Sequence, residues 1–139
     1  MGNLSQLEEL SLKTDDDAGL NNINRCSALG TLLESGVSKL IRLDSNNIDD
    51  AGVAAFAHGL RSIGPSLKHL DLSWNHIGSE GLSSLVAALV NCTSLERLDL
   101  SYNDFSAAAA GLRSLSDWLQ SNQMDLKQLD FESCGINDE

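Results

Sequence analysis

The chain reads as an α/β solenoid: a right-handed, horseshoe-like arc of about five strand–turn–helix units, with a parallel concave sheet and convex helices. Three observations predict it. Four stretches can be written one above another, Ser38 to Ile48, Leu67 to Ile77, Leu95 to Phe105 and Leu126 to Ile136, and a poorer copy begins at Leu7. Their starts at 7, 38, 67, 95 and 126 are 31, 29, 28 and 31 residues apart, a period that marks a repeat architecture. Within a copy, apolar and polar residues alternate, whereas between copies apolar residues recur at three and four. A unit this small cannot enclose its own core, so it must stack on its neighbours.

The first copy places Leu7, Leu10 and Leu12 on a strand but carries Asp15 and Asp17 where later copies have an asparagine and an apolar residue. The second substitutes Ser38 for the opening leucine and keeps Ile41 and Leu43; Val53, Phe56, Leu60 and Ile63 then mark a helix. Leu70 and Leu72 make the third strand, followed by the helical series Leu82, Leu85, Val86 and Leu89. Leu98 and Leu100 make the fourth, and Leu129 and Phe131 the fifth. Gly52, Gly81 and Gly111 stand just before the first buried helical residues, and Asn91 and Asn122 are the expected C-caps. Strands joined through helical crossovers must lie parallel.

Asn46, Asn75, Asn103 and Cys134 occupy the ninth position of successive copies. The chain leaves the strand there, and a carboxamide can both donate to and accept from backbone groups that lack ladder partners. Cys134 is only a weak donor and an ionised Asp15 no donor at all, so such a ladder should be incomplete at both ends. The copies match L-x-x-L-x-L-x-x-N/C-x-L, and the chain resembles the leucine-rich repeat proteins, in the ribonuclease-inhibitor-like subclass that includes NOD-like receptors. That resemblance implies an asparagine ladder between repeats and a concave surface that, in ribonuclease inhibitor, grips a basic enzyme through aromatic positions.

At 139 residues the chain is one domain's worth, 1–139, with no linker composition inside it. The net charge of −11 argues against nucleic-acid and anionic-membrane surfaces and favours a basic or neutral protein partner. No apolar run is long enough to span a membrane, and Met1-Gly2 is followed by Gln6 rather than the Ser or Thr of a myristoylation signal. Three cysteines, Cys26, Cys92 and Cys134, fall in three repeats and do not suggest a disulfide framework; free thiols suit the cytoplasm. Asn3-Leu4-Ser5 and Asn91-Cys92-Thr93 are glycosylation sequons, with Asn91 already explained as a cap. The ends look uncapped, which predicts a segment of a longer solenoid or homo-oligomers formed through them.

No nucleotide loop, zinc-ligand pair or nucleophile motif occurs, so no catalytic residue, metal or cofactor is expected. His58 is expected on a helix, His69 on the concave face and His76 in a turn, and Trp118 and Met124 beside the helix layer. Motif positions 2, 3, 5, 7 and 8 are expected to face outward from the sheet. Position 5 then forms a column of Ser11, Arg42, Asp71, Asp99 and Asp130, and position 8 one of Thr14, Ser45, Trp74, Tyr102 and Ser133. Two large aromatics among charges make an anchor with a charged rim. The candidate partner-binding residues are Trp74, Tyr102, Arg42, Asp71, Asp99, Asp130, His69 and Arg97. The competing reading has Trp74 and Tyr102 merely stacked and shielding the sheet. The leading function is a non-enzymatic protein-binding module on the concave face. Alternatives are a regulator resembling the GTPase-activating protein for Ran, or a self-assembling structural repeat.

Overall fold

The computed structural model describes residues 8–13, 23–35, 39–107, 109–121 and 126–135. Leu7, Thr14, Asp15, Asp17, Ser38, Asn122, Met124, Ile136 and the Asn3 sequon lie outside the described residues. Among the described residues five strands alternate with four α-helices: β1 (Glu9–Ser11), α1 (Ile23–Glu34), β2 (Leu40–Arg42), α2 (Asp50–Ile63), β3 (His69–Asp71), α3 (Ser79–Leu89), β4 (Arg97–Asp99), α4 (Ala109–Leu119) and β5 (Gln128–Asp130). The sheet runs β1-β2-β3-β4-β5 and every neighbouring pair is parallel. Leu10, Ile41, Leu70, Leu98 and Leu129 are in register, so the poorer first copy pairs on the same motif position as the rest. Each helix packs on the next in sequence, which makes the molecule an α/β solenoid arc.

The strands are only three residues long, because the alternation that defines them spans only motif positions 3 to 5 before the chain turns. Ladder bonds nevertheless continue past them: the amides of Leu43, Leu72 and Leu100 donate to Asp71, Asp99 and Asp130 carbonyls at 2.8–2.9 Å. Ile41, Leu43, Leu70, Leu72, Leu98 and Leu100 point between the layers and are at most 1% exposed, as are Phe56 and Phe105. Helical residues spaced at three and four close this core from outside, among them Val53, Leu60, Leu82, Leu85, Leu89 and Trp118. At the two ends Leu10, Leu12, Leu126, Leu129 and Phe131 are only partly buried, since each has a repeat on one side.

Helix boundaries come from local chemistry. Asp49 caps α2 by accepting from the Gly52 amide at 2.8 Å, and α2 ends at Gly64, whose φ of 50° a side chain would resist. Helix α3 starts at Gly78, which has no side chain to cap with; Asp50 of the preceding repeat supplies the acceptor, 2.6 Å from the Gly78 amide. Gly81 makes room for that carboxylate, with which a Cβ would collide. Asn91 is not the cap expected of it. Helix α3 closes on Val90 in a right-handed conformation, and the Cys92 amide then turns back to the Leu89 carbonyl at 2.9 Å, leaving no left-handed position for Asn91 to fill. No helix among the described residues is long and apolar enough to cross a membrane.

Candidate functional site

The ninth position turns the chain out of each strand. Asn75 accepts the amides of Asn46 and Ile48 on its Oδ1, at 3.1 and 2.9 Å, and its Nδ2 donates to Leu43, Leu72 and Ser73 carbonyls at 3.0–3.1 Å. Asn103 repeats this toward Ile77, Leu72 and Leu100, and Asn46 donates back to the Leu12 carbonyl. Each carboxamide thus ties its own turn to the previous repeat, buried where an unpaired backbone group would be costly. Cys134 is a weaker substitute: its thiol reaches the Leu100 carbonyl at 3.2 Å, but it offers no acceptor to the Phe105 amide. The missing acceptor is replaced by the main chain: the Phe105 amide donates to the Cys134 carbonyl at 2.8 Å.

Position 5 forms the expected column, with Ser11, Arg42, Asp71, Asp99 and Asp130 in register across the sheet. Its charges are partly engaged. Arg42 lies 3.6 Å from Glu9, and Arg97 3.5 Å from Asp130, both pairs well exposed and so individually weak. Asp71 Oδ1 accepts from both the amide and the hydroxyl of Ser73, at 2.9 and 2.6 Å, and Asp99 Oδ1 from the Ser101 amide at 3.0 Å. Those bonds correct one expectation. Position 7 does not face outward in the central repeats: Ser73 and Ser101 are 6% exposed, drawn down by the carboxylates two residues earlier. His69 and Arg97 occupy position 3, and with Arg42, Asp71 and Asp99 they line a shallow concave hollow of about 280 Å³.

Position 8 lies beyond the strand rather than on it. Ser45, Trp74, Tyr102 and Ser133 all take left-handed backbone, with φ of 59°, 57°, 60° and 52°. L-residues resist this region, and neither tryptophan nor tyrosine favours it. The turn imposes it: the amides of Ser45, Trp74 and Tyr102 each donate to the position-7 carbonyl of the next repeat, at 3.1, 2.9 and 2.8 Å. The side chains are thereby lifted to the rim of the concave face. The Trp74 and Tyr102 rings stack with centroids 3.9 Å apart and planes 8° from parallel. Stacking was the shielding alternative, yet Trp74 remains 58% exposed. The Tyr102 hydroxyl donates to Glu132 at 3.3 Å.

A hollow of about 370 Å³ under the pair is lined by Trp74, Tyr102, Arg97, Asp99, Asp130 and Glu132. Trp74, Tyr102, Arg97, Asp99 and Asp130 of the candidate set therefore border one space, while Arg42, Asp71 and His69 line the hollow beside it. Glu132 was missed by sequence reasoning, although its place at position 7 could have drawn it in. His58 sits on α2 with Nε2 3.5 Å from Glu34, away from this face, and His76 Nε2 pairs with Asn47 Oδ1 at 3.1 Å on the rim. Among the described residues, no three His, Cys, Asp or Glu side chains gather as a metal site would need.

The leucine-rich repeat family model matches residues 39–57, 65–86 and 91–115. Porcine (Sus scrofa) ribonuclease inhibitor is 30% identical over 134 residues, covering 96% of this chain and 29% of its own length. Bovine (Bos taurus) Tonsoku-like protein is 34% identical over 116 residues, 79% of this chain and 8% of its own. Mouse (Mus musculus) NACHT, LRR and PYD domains-containing protein 14 is 32% identical over 99 residues, 70% of this chain and 10% of its own. The chain thus spans less than a third of each of these relatives. The solved structure of the leiomodin-1 actin-binding site 2 superposes with a TM-score of 0.72 over 93% of this chain and 72% of that one, at 21% identity, a likeness of fold. Repeat register, asparagine turns and these relatives agree: the chain belongs to the leucine-rich repeat proteins, of the ribonuclease-inhibitor-like kind shared with NACHT, LRR and PYD proteins.

Proposed function

We propose that this chain is a non-enzymatic module that binds a basic or neutral protein on its concave face, with Trp74 and Tyr102 as the anchor. One observation carries the reading: a stacked aromatic pair, its tryptophan exposed and its tyrosine half-buried, stands at the edge of a sheet face whose position-5 column holds three adjacent aspartates. Rigid aromatics offer much contact area for little conformational entropy, and a carboxylate-lined face with a net charge of −11 behind it steers cationic surfaces inward. Ribonuclease inhibitor, a relative by sequence, is named for acting on another protein. Three buried cysteines, none of them in a disulfide, accord with a reducing compartment, and we place the protein in the cytoplasm on that ground.

The test is quantitative capture of partners by wild type and by a Trp74→Ala/Tyr102→Ala double variant, with thermal melts in parallel. The double variant should lose at least about thirtyfold in affinity, the effect of a hot spot near 2 kcal/mol, while its melting temperature barely moves. Undiminished capture by a folded double variant would sink the reading. Two side assays separate the competitors. A GTP-hydrolysis assay with small GTPases reports on a Ran-activator-like role, and sedimentation over a range of concentrations reports on self-assembly.

A further inference from the structure

The position-8 column is a stack with a member missing. Ser45, Trp74 and Tyr102 hang from equivalent amide bonds in consecutive repeats and share one backbone conformation, so their side chains leave the chain in the same direction. Tyr102 covers one face of the Trp74 indole at 3.9 Å. The neighbour on the other side is a serine, too short to reach ring height. A tryptophan stacked on one face and still 58% exposed has its other face open. A cavity of about 550 Å³ runs along this rim, bordered at the open end by Ser45, Asn47, Trp74 and His76 and continuing past Tyr102 to Ser133. One planar group, entering above Ser45, would continue the stack.

We propose that this slot takes the guanidinium of an arginine side chain on the partner protein. The inference rests on the concave-face reading and narrows it to a chemistry. A guanidinium is planar and cationic, so it satisfies the ring face by shape and by charge together, and indole is the best of the aromatic faces for a cation. Its in-plane N–H donors need acceptors at the slot's floor. The exposed Ser45 residue offers one through its hydroxyl, and Asp44, next in the chain, lines the adjoining concave hollow with Asp71 and adds negative charge nearby. The nearest cation of that strand, Arg42, is already within 3.6 Å of Glu9 and opposes the incoming charge less. An ammonium would gain the charge without the stacking, and a neutral planar group the stacking without the charge.

The experiment follows the Trp74 indole N–H resonance while N-acetyl-arginine amide, its lysine counterpart and its citrulline counterpart are titrated in turn. Trp118, buried in α4, serves as the unshifted internal reference. Arginine amide should bind at least about threefold more tightly than either comparator, the margin expected of an exposed cation–aromatic contact. Ser45→Tyr should abolish the shift by filling the slot, at a position whose φ of 59° matches those that Trp74 and Tyr102 already adopt. No Trp74 shift with any probe, equal shifts with lysine or citrulline, or an undiminished response in Ser45→Tyr overturns the proposal. If the Trp74→Ala/Tyr102→Ala variant loses its partner while arginine shows no preference, the slot fails and the concave-face reading stands. If the double variant keeps its partner, that reading fails whatever the amides do.

Discussion

The repeats that begin at Leu67 and Leu126 share one register and differ in almost everything that register supports. Leu70, two strands from the sheet's edge, is 1% exposed, whereas its equivalent Leu129 is only partly buried. Asn75 holds five backbone groups through one carboxamide, while Cys134 holds the Leu100 and Glu132 carbonyls more loosely and leaves an amide to be satisfied by main chain. The motif therefore fixes where the chain goes, and neighbours on both sides fix how firmly it stays there. In a stacked array stability is shared between units, so the central repeats should be the last to open.

The comparison breaks most readily in the core. Leu72→Ala removes a side chain enclosed on all sides and should cost about 2–5 kcal/mol, whereas Leu129→Ala, already part-solvated, should cost roughly 1–2 kcal/mol. Denaturant unfolding of the two variants checks this, and equal losses would mean that burial at the last strand is underestimated. Next comes the ladder. Asn75→Ala strands the amides of Asn46 and Ile48 without an acceptor and should cost about 2–3 kcal/mol; Cys134→Ala, with Phe105 already served by main chain, about 1 kcal/mol or less. Hydrogen exchange would sharpen the result, since only the first change should speed exchange at Asn46 and Ile48.

The thiols come last, because their effect is felt only at alkaline pH. Burial pushes Cys26 and Cys92 up from 9.0 to about 11, with the Asp49 charge adding to the rise at Cys26. Cys134 is raised by burial too, but backbone hydrogen bonds at Asn103 and Tyr102 work against it. The folded state favours the protonated thiols, so their contribution is complete below pH 9 and is lost as pH rises from 9 toward 11. Denaturant midpoints should fall over that interval, and fall less in Cys92→Ala. Alkylation followed by mass spectrometry should modify Cys134 ahead of the other two; reversal of that order would contradict the burial assigned to the last repeat.

Much of the fold was legible because a repeat shows its own register: aligning Leu67 with Leu95 places both strands, both turns and the helices between. The columns at positions 5 and 8 followed from the same alignment. What was not legible lies in the turn. Ser73 and Ser101 look solvent-facing by alternation, and only the hydrogen bonds of Asp71 and Asp99 draw them down. Asn91 has the composition of a cap, but helix α3 closes one residue earlier through backbone alone. Nothing in serine, tryptophan or tyrosine advertises left-handed backbone, so the lift of position 8 to the rim, and the gap at Ser45, show only in the folded chain.

That left-handed turn also separates conformation from identity. Two serines, a tryptophan and a tyrosine occupy equivalent places at φ between 52° and 60°, and at Ser45, Trp74 and Tyr102 a main-chain hydrogen bond to the next repeat holds them there. The backbone there is a row of sockets, indifferent to what is plugged in. Selection or an engineer can exchange the residue at any one socket, large for small or charged for neutral, and rewrite what the rim recognises without renegotiating the fold beneath it.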